Sequence, residues 1–123
     1  MANPNIVNVT SIYGNTTYLI PSTTAATAWT ALTPATNTVN KIDNIVATNV
    51  TASAVAVTVS INSATAGAGT AYRIAYQISV PPNAALVVTD KSTSFYVGEG
   101  QSVVVTVGTG SAIELVAAYE AIS

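Results

Sequence analysis

Neither cysteine nor histidine occurs anywhere in the chain. Their absence removes disulfides, thiol nucleophiles, Ser-His-Asp triads and most zinc sites in one step. Charge is nearly as scarce. Lys41, Arg73 and Lys91 are the only basic residues, and Asp43, Asp90, Glu99, Glu114 and Glu120 the only acidic ones, for a net charge of -2. Three scattered cations cannot neutralise a phosphate track, which excludes a nucleic-acid partner, and they form no polybasic membrane patch. Every apolar run is broken by Thr, Ser, Asn or Gly before it is long enough to span a bilayer as a helix, so no membrane is expected. The first residues, Met1-Ala-Asn-Pro-Asn-Ile6, lack the basic and apolar segments of a secretion signal. Five acids spread over the chain form no calcium loop, and no cofactor is expected.

What remains is a chain of 123 residues, one domain's worth, of which 50% are hydrophobic and 7% charged. An ordinary soluble domain has about a quarter of its residues charged. Weak repulsion between copies favours association, so a homo-oligomer is expected. The apolar residues are mainly Val, Ile and Ala interleaved with Thr, Ser and Asn, which suit a pleated sheet better than a helix.

Alternation with period two is the strongest local pattern. Val55, Val57, Val59 and Ile61 fall on one face of Ala54–Ile61. Tyr72, Ile74, Tyr76, Ile78 and Val80 fall on one face of the next segment, and Val103, Val105 and Val107 point inward from Ser102–Val107. Ala112–Tyr119 is a fourth, less regular strand, and Ala28–Leu32 and Val39–Val50 also read as strands. Asn62–Thr70, with Gly67 and Gly69, is a small-residue loop that should join two neighbouring antiparallel strands. Pro81-Pro82-Asn83 ends the second of them, and Gly98/Gly100 and Gly108/Gly110 flank the third with freedom for positive φ. Ile6–Tyr13 and Thr17–Ile20 read as a hairpin about Gly14-Asn15. Turns at roughly ten-residue spacing, with no helical segment between them, predict an all-β protein. The expected fold is a single antiparallel β-sandwich, jelly-roll-like or Ig-like. Residues 28–123 form its body, and residues 1–27 form an N-terminal extension, an arm or edge hairpin.

From about Ala28 to Ile122 the chain resembles small virion proteins of tailed bacteriophages, including phages of cyanobacteria. The resemblance is carried by Trp29 and Leu32, Lys41-Ile-Asp-Asn-Ile-Val-Ala-Thr-Asn49, the alternating Val55–Ile61, Ile78-Ser-Val-Pro-Pro82 before Ala85-Leu86, Tyr96-Val-Gly-Glu-Gly-Gln101, and Tyr119-Glu-Ala-Ile122. It implies a compact β-sandwich located in the virion, on a head, neck or tail. Gly100-Gln101 stands where Gly-Asp is expected in the late turn, which argues against an ion there. The function it implies is a non-enzymatic structural one. Foremost is a capsid decoration or cement protein acting through many weak contacts with a major capsid, neck or tail protein. The alternatives are a neck or tail accessory protein and a carbohydrate-binding or adhesive module.

Individual residues carry weaker signals. Glu99 and Glu114 are candidates for a carboxylate pair, but no supporting acid, amide or aromatic cluster accompanies them. Asp90-Lys91 reads as a solvated pair. Tyr72 and Tyr76 are expected to close the sandwich edge from its apolar face. Asn8-Val-Thr10, Asn15-Thr-Thr17 and Asn49-Val-Thr51 match the glycosylation acceptor pattern, as chance allows in a chain rich in Asn and Thr. The expected interface residues are Ile6, Val9, Ile12, Tyr18, Leu19, Tyr96 and Tyr119. Of these, the N-terminal ones would belong to a segment that adds to a neighbour's sheet edge.

Overall fold

A computed structural model describes residues 9–123. It contains nine strands: β1 (Ile12–Leu19), β2 (Thr27–Ala28), β3 (Val39–Asn49), β4 (Val55–Asn62), β5 (Ala71–Val80), β6 (Ala85–Thr89), β7 (Phe95–Val97), β8 (Ser102–Val107) and β9 (Ile113–Ile122). They form two antiparallel sheets packed face to face. The first has the order β1-β9-β3-β6, with β7 following β6 along the same side of β3. The second has the order β2-β8-β4-β5. Taking β6 and β7 as one interrupted strand, the pairs nest: β1 with β9, β2 with β8, β3 with β6/β7, β4 with β5. Nested pairing distributed over two four-stranded sheets is the jelly roll among the expected sandwiches.

The core follows from the alternation. Val55, Val57 and Val59 of β4 meet Val103, Val105 and Val107 of β8 on the inner face of one sheet, and Ile42, Ile45, Ala47, Ile113, Leu115 and Ala117 line the other. Trp29 and Leu32 fill the space between the sheets. The strand expected over Ala28–Leu32 stops at Ala28, and Thr30–Leu32 form a single 3-10 turn closed by Leu32 N donating to Trp29 O at 3.0 Å. With three residues per turn, Trp29 and Leu32 point the same way, which a strand would not allow.

Two further expectations are corrected. Ile12–Leu19 run straight through Gly14-Asn15 as one strand along β9, so no hairpin forms there. The remainder of that expected hairpin, Ile6 to Asn8, lies outside the described residues. In β5, the face expected to be apolar is buried only in part, at Val80 and partly at Ile74. Tyr72 and Tyr76 are exposed, and the register against β4 shifts twice, from Val57↔Ile78 to Val59↔Ala75 and then to Ser60↔Arg73. Gln77, at φ 49°, takes up one extra residue, and its N–H bonds the Thr58 hydroxyl at 2.9 Å. The bulges bring Ala75 to the core in place of Tyr76. Tyr76 instead lies beneath the Arg73 guanidinium, 5.2 Å from ring centroid to Cζ.

Candidate functional site: the open face of sheet β1-β9-β3-β6

The outer faces of the two sheets differ. That of β2-β8-β4-β5 is covered where β4 and β8 meet. There the loop after β4 folds back, and Ser102 Oγ donates to Ala64 O at 2.7 Å and accepts from Gly67 N at 3.0 Å. Asn62 Nδ2 reaches Gly67 O at 2.9 Å, and Ser60 Oγ donates to Asn62 Oδ1 at 2.9 Å. These polar side chains are buried and satisfied by one another, as buried polar groups must be.

No described segment covers the outer face of the other sheet in this way. Its register aligns one transverse row: Tyr18 opposite Val116, Val116 opposite Val46, Val46 opposite Val87. Tyr18 is 73%, Val87 57% and Val116 40% exposed. The row crosses all four strands, roughly 14 Å at the usual interstrand spacing. Thr16, Ala118 and Asn44 flank it on one side and Glu114, Thr48 and Ala85 on the other. Further along the same face, Lys41 lies opposite both Glu120 and Tyr96, and its Nζ is 3.9 Å from Glu120 and from Asp43. An apolar stripe left in water by a chain with few charges is a candidate contact surface.

A second feature lies at the end of the sandwich where β1 and β3 begin. A groove of about 330 Å³ is lined by Tyr13, Tyr119, Thr33, Thr38, Asn40 and Ser123, together with three alanines. Its lining is neutral: two phenol rings with hydroxyls and an amide. Asn40 is held there by its Nδ2 donating to Leu32 O at 3.0 Å.

The expected interface residues separate between these features. Tyr18 and Ile12 are exposed on β1, and Tyr96 is exposed on β7. Leu19 and Tyr119 are half-buried against the core, and Tyr119 also lines the groove. Val9 is half-buried ahead of β1, and Ile6 lies outside the described residues. Val46, Val87 and Val116 were missed by sequence reasoning, although a signal existed. Each strand of the sheet carries an apolar doublet at this level: Tyr18-Leu19, Leu115-Val116, Val46-Ala47 and Leu86-Val87. One member of each faces the core, in the row Leu19–Leu115–Ala47–Leu86, and the other faces out.

The structure does not bring the carboxylate candidates together. Glu99 follows β7, whose Val97 pairs with Asn40, whereas Glu114 pairs with Thr48. Along β3 that separation is roughly 27 Å at strand rise, far beyond the reach of a glycosidase pair. The Glu99 carboxylate instead accepts from Asn37 N. Gln101 closes its own turn, its Oε1 accepting from Gly98 N at 2.8 Å. No family model, curated protein or solved structure matches this chain.

Proposed function

We propose that this chain is a non-enzymatic structural protein of a virion, a capsid decoration that attaches through the outer face of sheet β1-β9-β3-β6 and assembles with further copies. The Tyr18–Val116–Val46–Val87 stripe carries the reading, because Tyr18, Val116 and Val87 are exposed about a half-buried Val46 in one apolar row across all four strands. The sequence resemblance to small phage virion proteins and the scarcity of charge support the same reading. Burying such a stripe contributes about 25 cal/mol per Å² of apolar area. A modest patch holds one copy weakly, and many linked copies hold a shell firmly. The test is reconstitution on particles of the phage that encodes the chain. Particles lacking it should rupture at lower temperature, and added wild-type protein should restore them, whereas Val87→Lys, a substitution on an exposed position, should not. Virions that carry no copy of the protein would overturn the reading.

The groove between Tyr13 and Tyr119 favours a second reading, adhesion to a neutral glycan, since rings and uncharged hydrogen-bonding groups suit sugar surfaces. Binding on a glycan array that is lost in Tyr13→Ala and kept in Val87→Lys would select it over the first.

A further inference from the structure

A sheet edge exposes unpaired N–H and C=O groups, and proteins normally defend it. Three of the four edges here are defended. Strand β2 has only two residues. Strand β5 carries Arg73 and two register shifts. The β6–β7 edge follows Pro81-Pro82 and is broken by the turn Lys91–Thr93, which Asp90 caps. Strand β1 has none of these devices. Its eight residues, Ile-Tyr-Gly-Asn-Thr-Thr-Tyr-Leu, include no charge and no proline, pair with β9 without a register shift, and meet no described strand on the other side.

The direction of its free groups can be read from the neighbouring pair. Ser11 N donates to Ser123 O, and Ser123 N donates to Ser11 O, both at 3.0 Å. Ser11 is therefore a hydrogen-bonded position of the β1–β9 ladder, and so in turn are Tyr13, Asn15, Thr17 and Leu19. Ile12, Gly14, Thr16 and Tyr18 direct their N–H and C=O groups to the open edge.

We propose that β1 pairs antiparallel with β1 of a second copy about a two-fold axis through Asn15, joining the two sheets into one. The occupant is a second copy because an undefended edge needs a partner edge that is equally long, uncharged and unbroken, and β1 is the described edge on this chain that qualifies. A two-fold normal to the sheet sets outward-directed residues opposite outward-directed residues. Ile12 (54% exposed) then faces Tyr18 of the second copy, twice by symmetry, and Gly14 faces Thr16. The apolar stripes of both copies lie on the same side of the joined sheet. The defended β6–β7 edges terminate the assembly at two copies, so it closes instead of growing into a fibre. This inference names the partner copy and its geometry, and it does not rest on the virion reading.

The experiment uses two proline variants and two cysteine variants in a chain that has no cysteine of its own. Wild type should sediment as a dimer, at twice the chain mass of 12.4 kDa. Thr16→Pro removes a donor aimed at the open edge and leaves the β9 ladder intact, so it should remain folded by Trp29 fluorescence and sediment as a monomer. Thr17→Pro removes a donor used by β9 and should lower the melting temperature. Asn15→Cys, placed at the two-fold in a non-hydrogen-bonded pair, should cross-link to a dimer under mild oxidation at least tenfold faster than Thr16→Cys. A folded Thr16→Pro that still dimerises, a wild type that is monomeric at 0.1 mM, or faster cross-linking at position 16 would overturn the proposal. Val87→Lys should keep the dimer, so failure of the edge contact and failure of particle attachment are read separately.

Discussion

Asn49, at the end of β3, donates to Val80 O at the end of β5 at 3.0 Å and so ties one sheet to the other. Its second amide hydrogen goes to Ser53 O at 2.7 Å, and its Oδ1 accepts from Thr51 N at 2.9 Å and Thr51 Oγ1 at 2.7 Å. A fully buried amide thereby uses all four of its hydrogen-bonding sites. The Asn49-Val-Thr51 acceptor pattern is consumed by this structural task. Asn49→Ala should cost about 2 kcal/mol, since it removes the buried donor to Val80 O and the acceptor of Thr51 N. Asn49→Asp should be worse at pH 7 than at pH 4 relative to wild type, because an ionised carboxylate would face two carbonyl oxygens. Urea titration at the two pH values checks both.

Val57 is fully buried in β4, between Val107 on β8 and Ile78 on β5. Val57→Asp should cost about 4 kcal/mol or more, the cost of an uncompensated buried charge, and Val57→Ala about 2 kcal/mol. Thermal melts followed by the buried Trp29, the chain's single tryptophan, measure both. A melting temperature for Val57→Asp within two degrees of wild type would place this side chain outside the core.

Much of this arrangement was legible before the structure. The alternation of β4 and β8 needs only a regular strand with one face buried, and both strands are central. The β4–β5 hairpin was legible for the same reason. Strand β5 was misread between its two bulges, because the pair moves only the residues between them, Ala75 and Tyr76, to opposite faces and leaves no mark in an alternating sequence. Strands β6 and β7 are short and interrupted, so neither offers a long enough run to show a period. The stripe was hidden because Val46, Val87 and Val116 each sit beside a core residue, and a doublet reads as a continuous apolar run instead of as two faces. The glycines near β8 were read correctly as turn residues but not always for the right reason. Gly100 has positive φ, whereas Ser111 takes the left-handed position beside Gly110.

Gly110 is required for space. A Cβ there would meet the Ser22 carbonyl, with its carbon at 2.9 Å, where the chain between β1 and β2 passes the β8–β9 turn. That crossing is held by Ser111 N donating to Pro21 O at 2.7 Å. Gly108 is different, since its Cβ would stand at an ordinary 3.5 Å from Ala56 N. Gly110→Ala should therefore cost about 2 kcal/mol and Gly108→Ala less than about 0.5 kcal/mol. Denaturant midpoints of the two variants give the comparison directly, and equal losses would show that the crossing yields freely.

Asp90 guards the break between β6 and β7. Its carboxylate accepts from the Ser92 hydroxyl at 2.6 Å and from Ser92 N at 2.9 Å, while its own N–H reaches Thr93 Oγ1 at 3.1 Å. The Ser92 hydroxyl above all, then the Ser92 N–H, stabilises the charged form and holds the Asp90 carboxyl below the ordinary aspartate range. For a lowered carboxylate pKa the unfolded chain takes up its proton first. The contribution to stability is thus full above the ordinary aspartate pKa and is lost as pH falls through the lowered one. In a carbon-detected NMR titration, Asp90 should have a lower midpoint than aspartate in an unstructured peptide. Ser92→Ala should raise that midpoint. The group is fully exposed, so the effect should appear in the local turn, as faster amide exchange at Ser92 and Thr93 on acidification, before any change in Trp29 fluorescence. A Ser92→Ala variant whose Asp90 midpoint does not move would show that the hydroxyl bond is not formed in solution.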